Sequence, residues 1–150
     1  MPEARSSIPR DVDPYRAYNF KLVIEGVTEG HFTKCKNLGI EVETIQYREA
    51  GNNQVVRWIP GKTKNMKITL EFGLTSSRQL WDWFMLAVAG AIERKNVSIL
   101  MLESDGVTEA MRWDLINAWP SEWRGPSLDA MSDEIAIESM TLVCEELKRA

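Results

Sequence analysis

The sequence predicts a mainly β protein: an antiparallel β-barrel or sandwich carrying one external α-helix. Three observations lead there. Short segments alternate apolar and polar residues, most cleanly Met66 to Phe72 (MKITLEF), where Met66, Ile68, Leu70 and Phe72 oppose Lys67, Thr69 and Glu71. Turn-forming residues such as Pro60-Gly61 and Asp105-Gly106 separate these segments. Only one substantial stretch, Ser76 to Asn96, places apolar residues at helical spacing. A single sheet or partly closed barrel with the helix packed on it buries these faces most economically.

In chain order, Met1 to Pro14 holds Pro2, Pro9 and Pro14 among charges and serines. It reads as a flexible N-terminal arm, residues 1–14, leaving residues 15–150 as a single domain. Tyr18 to Glu25 predicts the first strand, with Phe20, Leu22 and Ile24 on one face. Phe32 to Leu38 predicts a weaker one. Gly39 to Arg48 alternates again, setting Ile40, Val42 and Thr44 against Glu41, Glu43 and Ile45. Glu49 to Gln54 (EAGNNQ) is a polar tip in which Gly51 supplies backbone freedom. Val55 to Ile59 returns apolar, Pro60-Gly61 turns the chain, and Met66 to Phe72 follows as a strand.

In the helix, Ser76 is placed to cap, with Gln79 three residues on. Leu80, Phe84, Ala87, Val88, Ala91 and Ile92 form an apolar face, and Arg94 and Lys95 suit the negative end of the helix dipole. Trp81, Trp83, Met85 and Leu86 carry apolar surface further round the cylinder. That surplus fits either a deeply buried helix or a contact with another subunit. Phe84 and Val88 are expected under the chain's own sheet, Trp83 and Leu86 on the flank it leaves open. The apolar run is far shorter than the roughly 20 residues of a membrane span, so no membrane anchor is expected. Beyond the helix, Val97 to Leu102 and Val107 to Leu115 flank Asp105-Gly106, which predicts a hairpin with a type I′ turn. Ala118 to Asp129 reads as a long connection rich in Trp and Pro, and Glu134 to Cys144 as the last strand.

The chemistry of the chain excludes more than it suggests. A net charge of −4 over 150 residues is not the balance of a dedicated nucleic-acid binder. Cys35 and Cys144 stand far apart with no CxxC motif and read as free thiols of a protein made in a reducing cytoplasm. Met1 to Pro14 lacks the apolar core of a signal peptide. The one histidine, His31, has no flanking motif for a nucleophile triad, and the zinc spacings and phosphate-binding loops are missing. No enzyme and no cofactor are expected. The aromatics and polar loops point instead to assembly.

Four segments resemble a known family. They are DPYRAYNFKLVIEG (Asp13 to Gly26), IQYREAGNNQVVRWIPGKTK (Ile45 to Lys64), ITLEFGLTSSRQLWDW (Ile68 to Trp83) and WDLINAWPSEWRGPSLDAMSDEIAIESMTL (Trp113 to Leu142). In this order they are similar to the tail-tube (inner tube) proteins of contractile phage tails and phage-tail-like contractile injection systems. Ser132-Asp133 departs from the Gly-Asn that relatives often carry there. The resemblance implies six-membered rings that stack into a hollow tube inside a contractile sheath, on a baseplate. Strands of adjacent subunits then form the lumen wall, and protein effectors or phage DNA pass through.

Residue roles follow from the resemblance. The tip Glu49, Ala50, Gly51, Asn52, Asn53 and Gln54 corresponds to the loop that reaches into the next ring; without the resemblance it is simply an exposed hairpin tip. Trp81, Trp83, Leu86, Trp119 and Trp123 are candidate subunit-interface anchors, with core packing as the competing role. Glu41, Glu43, Lys67, Thr69 and Glu71 oppose the apolar strand faces and are candidate lumen-lining residues, an ordinary solvated face being the alternative. With three glutamates among them, the lumen is expected to be mildly acidic. Two other functions remain open: a baseplate-proximal tube initiator of the same fold, and a free-standing protein-binding module.

Overall fold

The computed structural model describes residues 19–27, 32–48, 51, 55–65, 67–74 and 77–150. The expected arm at residues 1–14, the tip residues Glu49, Ala50, Asn52, Asn53 and Gln54, the lone His31 and the expected cap Ser76 lie outside the described residues. The chain runs β1 (Phe20–Ile24), β2 (Phe32–Lys36), β3 (Ile40–Arg48), β4 (Val56–Asn65), β5 (Ile68–Gly73), α1 (Gln79–Val88), β6 (Lys95–Leu102), β7 (Glu109–Arg124), β8 (Ile137–Val143) and β9 (Glu146–Arg149). The fold is mainly β with one helix, and its strand pairs are antiparallel.

Period-two alternation builds the body. In β5, Ile68, Leu70 and Phe72 are buried while Thr69 and Glu71 turn outward. A seven-stranded sheet runs β1-β6-β7-β8-β5-β2, with β9 added on β7. The long β7 belongs to both halves of this sheet. Its first part pairs with β6 and β9, and Trp119 to Arg124 pair with β8. Inward residues of one half (Leu22, Ile24, Val97, Ile99, Leu115) and of the other (Ile68, Leu70, Phe72, Met140, Leu142) meet in one core that includes Trp83. The sheet therefore curls over a shared apolar interior.

Three expected boundaries shift, each for a physical reason. The strand β4 continues through Pro60-Gly61 where a turn was expected. Among the described residues it pairs only with β3, so Pro60 needs no second ladder partner, and a bulge between Val42 and Thr44 absorbs the irregularity. Gly61 suits the close approach there, because a Cβ would lie a tight 3.2 Å from both the Cβ and the carbonyl oxygen of Glu43. Residues 118–124, expected as part of a long connection, continue β7 instead. A register shift between Pro120 and Glu122 accommodates the proline, and Asn117, at φ 53, turns the strand from one half to the other. At Asp105-Gly106 only Gly106 takes positive φ, so the turn is not type I′. The Gly106 amide donates to the Glu103 carbonyl at 2.9 Å, and the Asp105 carboxylate accepts from the amides of Val107 and Thr108.

The helix is half the expected length. It ends at Val88 in a Schellman arrangement: Gly90 has φ +81, its amide donates to Ala87, and the Ala91 amide donates to Leu86. Arg94 therefore lies outside it, and Lys95 opens β6. Arg78 occupies the N-cap without a side-chain cap bond. The helix is also rotated from its expected phase. Leu80, Trp83 and Phe84 face the core, whereas Val88, expected inside, is 60% exposed.

Candidate assembly surfaces

The outward side of the half-sheet formed by β2, β5, β8 and the end of β7 is polar across its central rows. Strand pairing aligns Lys36, Thr69, Thr141 and Glu122 in one row, and Lys34, Glu71, Ser139 and Arg124 in the next. The Lys36 ammonium lies 3.1 Å from the Glu71 carboxylate, Arg124 pairs with Glu122, and the hydroxyls of Thr69 and Thr141 are 3.5 Å apart. Three cations and two carboxylates thus share these rows, mostly as neighbouring pairs. Trp119 stands opposite Val143 at one end of the face.

Of the five residues expected together in a lumen, Thr69 and Glu71 are on this face and Lys67 precedes it. Glu41 and Glu43 are elsewhere, on β3, and the five do not converge on one surface. Without those two glutamates the two rows carry one more cation than carboxylate. Lys34, Lys36, Glu122, Arg124, Ser139 and Thr141 went unnoticed in the sequence. Their outward direction is legible from the alternation around Cys35 and Met140, but their company depends on strand order.

The β3–β4 hairpin stands apart from this sheet as a separate two-stranded unit. Every residue of β3 is exposed. Ile45 and Ile59 oppose each other on one side with Tyr47, and Trp58 stands on the other. All four are exposed, Trp58 by 60%. Glu41 and Glu43 line an open cleft of about 540 Å³ with Thr44, Lys62, Thr63 and Lys64 at the base of the hairpin. Gly51, at φ 90, lies in its turn region. A two-stranded ribbon with apolar residues open on both sides is marginal alone.

The tryptophans do not form one anchor cluster. Trp83 is only 2% exposed, and its indole N–H donates to the Glu93 carbonyl at 2.7 Å. It is a core residue of its own subunit and offers no interface surface. Trp81 packs edge-on against Trp123 at a ring separation of 4.7 Å and touches Phe84. Trp81, Met85, Leu86, Val88 and Ile92 leave an exposed apolar flank along and just beyond the helix.

On the other half-sheet, Arg112 donates to Asp114 at 2.8 Å and to the Ser98 hydroxyl at 3.0 Å. The Arg112 guanidinium, helped by the Ser98 hydroxyl, holds the Asp114 carboxyl below its ordinary range. These groups satisfy one another. Among the described residues no cluster of three metal-ligating side chains occurs, and no helix is long and apolar enough to cross a membrane.

Comparison with known proteins places this geometry. The profile of the T4-like virus tail tube protein gp19 family matches residues 16–148. Among individually curated proteins none matches the sequence. A chain in the cryo-EM structure of the PVC sheath–tube complex of an extracellular contractile injection system, in its extended state, is 28% identical. It superimposes with a TM-score of 0.80 over 91% of both chains. A chain in the PVC sheath/tube terminator structure is also 28% identical, with a TM-score of 0.82 over 92% of this chain and 97% of that one. A chain in the anti-feeding prophage cap structure is 26% identical, with a TM-score of 0.78 over 100% of this chain and 99% of that one. Hcp1 from Flavobacterium johnsoniae, at 17% identity, a TM-score of 0.54, and coverage of 87% of this chain and 94% of that one, shares the fold alone. With its profile spanning nearly the whole chain, the chain belongs to the T4-like virus tail tube protein gp19 family.

Proposed function

We propose that this chain is the structural inner-tube subunit of a phage tail or phage-tail-like contractile injection system. Six copies close a ring, and rings stack into a hollow tube that conducts protein or DNA cargo. Its partners are further copies of itself, the sheath, the baseplate and the cargo. The role needs no catalytic residue, cofactor or membrane anchor.

One observation carries the reading beyond family membership. The four-stranded half-sheet is polar on its outward side and has an unpaired edge at each flank among the described residues. One edge is the outer side of β2; the other is Trp119 to Arg124 of β7. Two open and different edges suit heterologous, head-to-tail pairing, which closes a ring by rotation and continues the sheet through every subunit. The rows through Thr69 and Glu71 then form the wall of the bore. Paired opposite charges with interspersed hydroxyls present no adhesive apolar patch to a passing chain. The exposed helix flank at Trp81, Met85 and Leu86 serves as a contact between subunits, and the tip from Glu49 to Gln54 reaches into the next ring.

Electron microscopy and sedimentation of the purified chain at rising concentration test this. Rings that stack into tubes are the expected result. A monomer at every concentration overturns the reading in favour of a binding module, and single rings that never stack identify a tube initiator.

A further inference from the structure

The polar half-sheet carries more cations than its neighbouring pairs use. Strand alternation turns Lys34, Lys36, Lys67 and Arg124 to its outward side. Among the described residues, Glu71 and Glu122 are the carboxylates that accompany them. Lys36 is held by Glu71, and Arg124 by Glu122. Lys34 and Lys67 are exposed and make no ion pair among the described residues. The surplus is local, since the chain as a whole carries a net charge of −4.

The acidic groups around the face do not cancel it. Glu138 stands opposite Phe72, on the apolar side of the sheet. Glu41 and Glu43 share their cleft with Lys62 and Lys64, so the base of the hairpin adds no net charge. Glu145, beyond Val143, is paired with Arg94 at 3.3 Å. Asp129, Asp133 and Glu134 lie on the connection between β7 and β8, past the end of the face at Arg124. The strands themselves thus form a cationic band, with acid beyond one end.

On the wall of a bore, such a band acts on whatever passes. A hydrated ammonium attracts a carboxylate only weakly, and only within about 8–10 Å at physiological salt. The same lysines recur in every subunit, however, so a chain with many negative groups meets them repeatedly. Glu71 and Glu122 decide between polyanions. A nucleic acid bears a phosphate at every unit and cannot keep all of them away from carboxylates standing among the lysines. An acidic polypeptide spaces its charges unevenly and turns amides or hydroxyls toward Glu71 and Glu122 instead. We infer that Lys34 and Lys67 hold acidic polypeptide cargo against the wall of the bore, weakly and reversibly. The inference rests on the tube reading and names the chemical class of the cargo.

Co-sedimentation of preformed tubes with short fluorescent peptides tests it. Wild-type tubes should retain poly-glutamate, release it as salt rises, and leave poly-lysine in solution. Lys34→Gln combined with Lys67→Gln should keep the tubes and cut retention several-fold, and each single variant should lose part of it. Lys34→Glu combined with Lys67→Glu should reverse the preference to poly-lysine. Lys21→Gln, on the outward side of the other half-sheet, should change nothing. Equal retention by wild-type and glutamine-variant tubes, or loss of retention in Lys21→Gln, overturns the inference and leaves the tube reading intact. Stronger retention of a single-stranded oligonucleotide of equal charge, lost in the same variants, assigns the lysines to polyphosphates and overturns it as well. A wild-type chain that never forms tubes overturns both readings.

Discussion

Cys35 lies on β2 opposite Leu70, on the apolar side of the sheet, and burial pushes its thiol from 9.0 up to about 11. The neutral thiol is the form the fold favours. Its contribution to stability is therefore fully present below pH 9 and is lost as pH rises toward about 11, where the folded protein at last releases the proton. At pH 8 the folded chain should resist iodoacetamide at Cys35, and the same chain in denaturant should react quickly; mass spectrometry of the alkylated peptide distinguishes the two. Rapid labelling without denaturant would mean that β2 opens readily. The inward and outward directions of single residues were legible in the sequence wherever the period was two. A strand has only two faces, so Ile68, Leu70 and Phe72 fix the placement of Thr69 and Glu71. The neighbours of Thr69 and Glu71 were not legible. Lys36 and Thr141 meet Thr69 through strand pairings with partners 33 and 72 residues away.

The helix shows why an element is easier to detect than to orient. Apolar residues nearly encircle Leu80 to Val88, so the sequence fixes a helix there without fixing its rotation. The sheet chose the face with Trp83, whose indole N–H also finds a carbonyl partner at Glu93. Trp83→Ala should cost about 3–5 kcal/mol in cavity and lost burial, enough to give unfolded or aggregated subunits. Val88→Ser, at an exposed position, should shift subunit stability by no more than about 0.5 kcal/mol. Thermal unfolding of both variants checks this, and similar losses would mean that the helix packs in a different rotation. The strands around Pro60 and Pro120 carry a related lesson. Proline forbids a ladder bond, not a strand, and the edge position of β4 and the shift in β7 absorb it.

Over the whole molecule, the strand order β1-β6-β7-β8-β5-β2 joins segments far apart in the sequence. Local patterns carried the β class and the single helix, but not this order. The joint between the two halves of the sheet is Asn117, held at φ 53 by a side-chain bond to Glu145 at 2.8 Å and by its amide on the Asn96 carboxamide at 3.2 Å. A β-branched residue pays roughly 1–2 kcal/mol in that conformation, whereas glycine adopts it freely. Asn117→Val should therefore lower the thermal midpoint more than Asn117→Gly. At about 2–4 °C per kcal/mol for a chain of this size, calorimetry resolves the difference. Equal midpoints would mean that the turn is set by its flanks.

The passage of β7 through that joint also has a mechanical meaning. Two layers held only by apolar packing yield by slipping past each other. Here one continuous main chain crosses from layer to layer, so an axial push on either half is carried into the other along covalent bonds. For the tube subunit proposed here, stiffness of this kind is set by chain connectivity, and no improvement in side-chain packing would replace it.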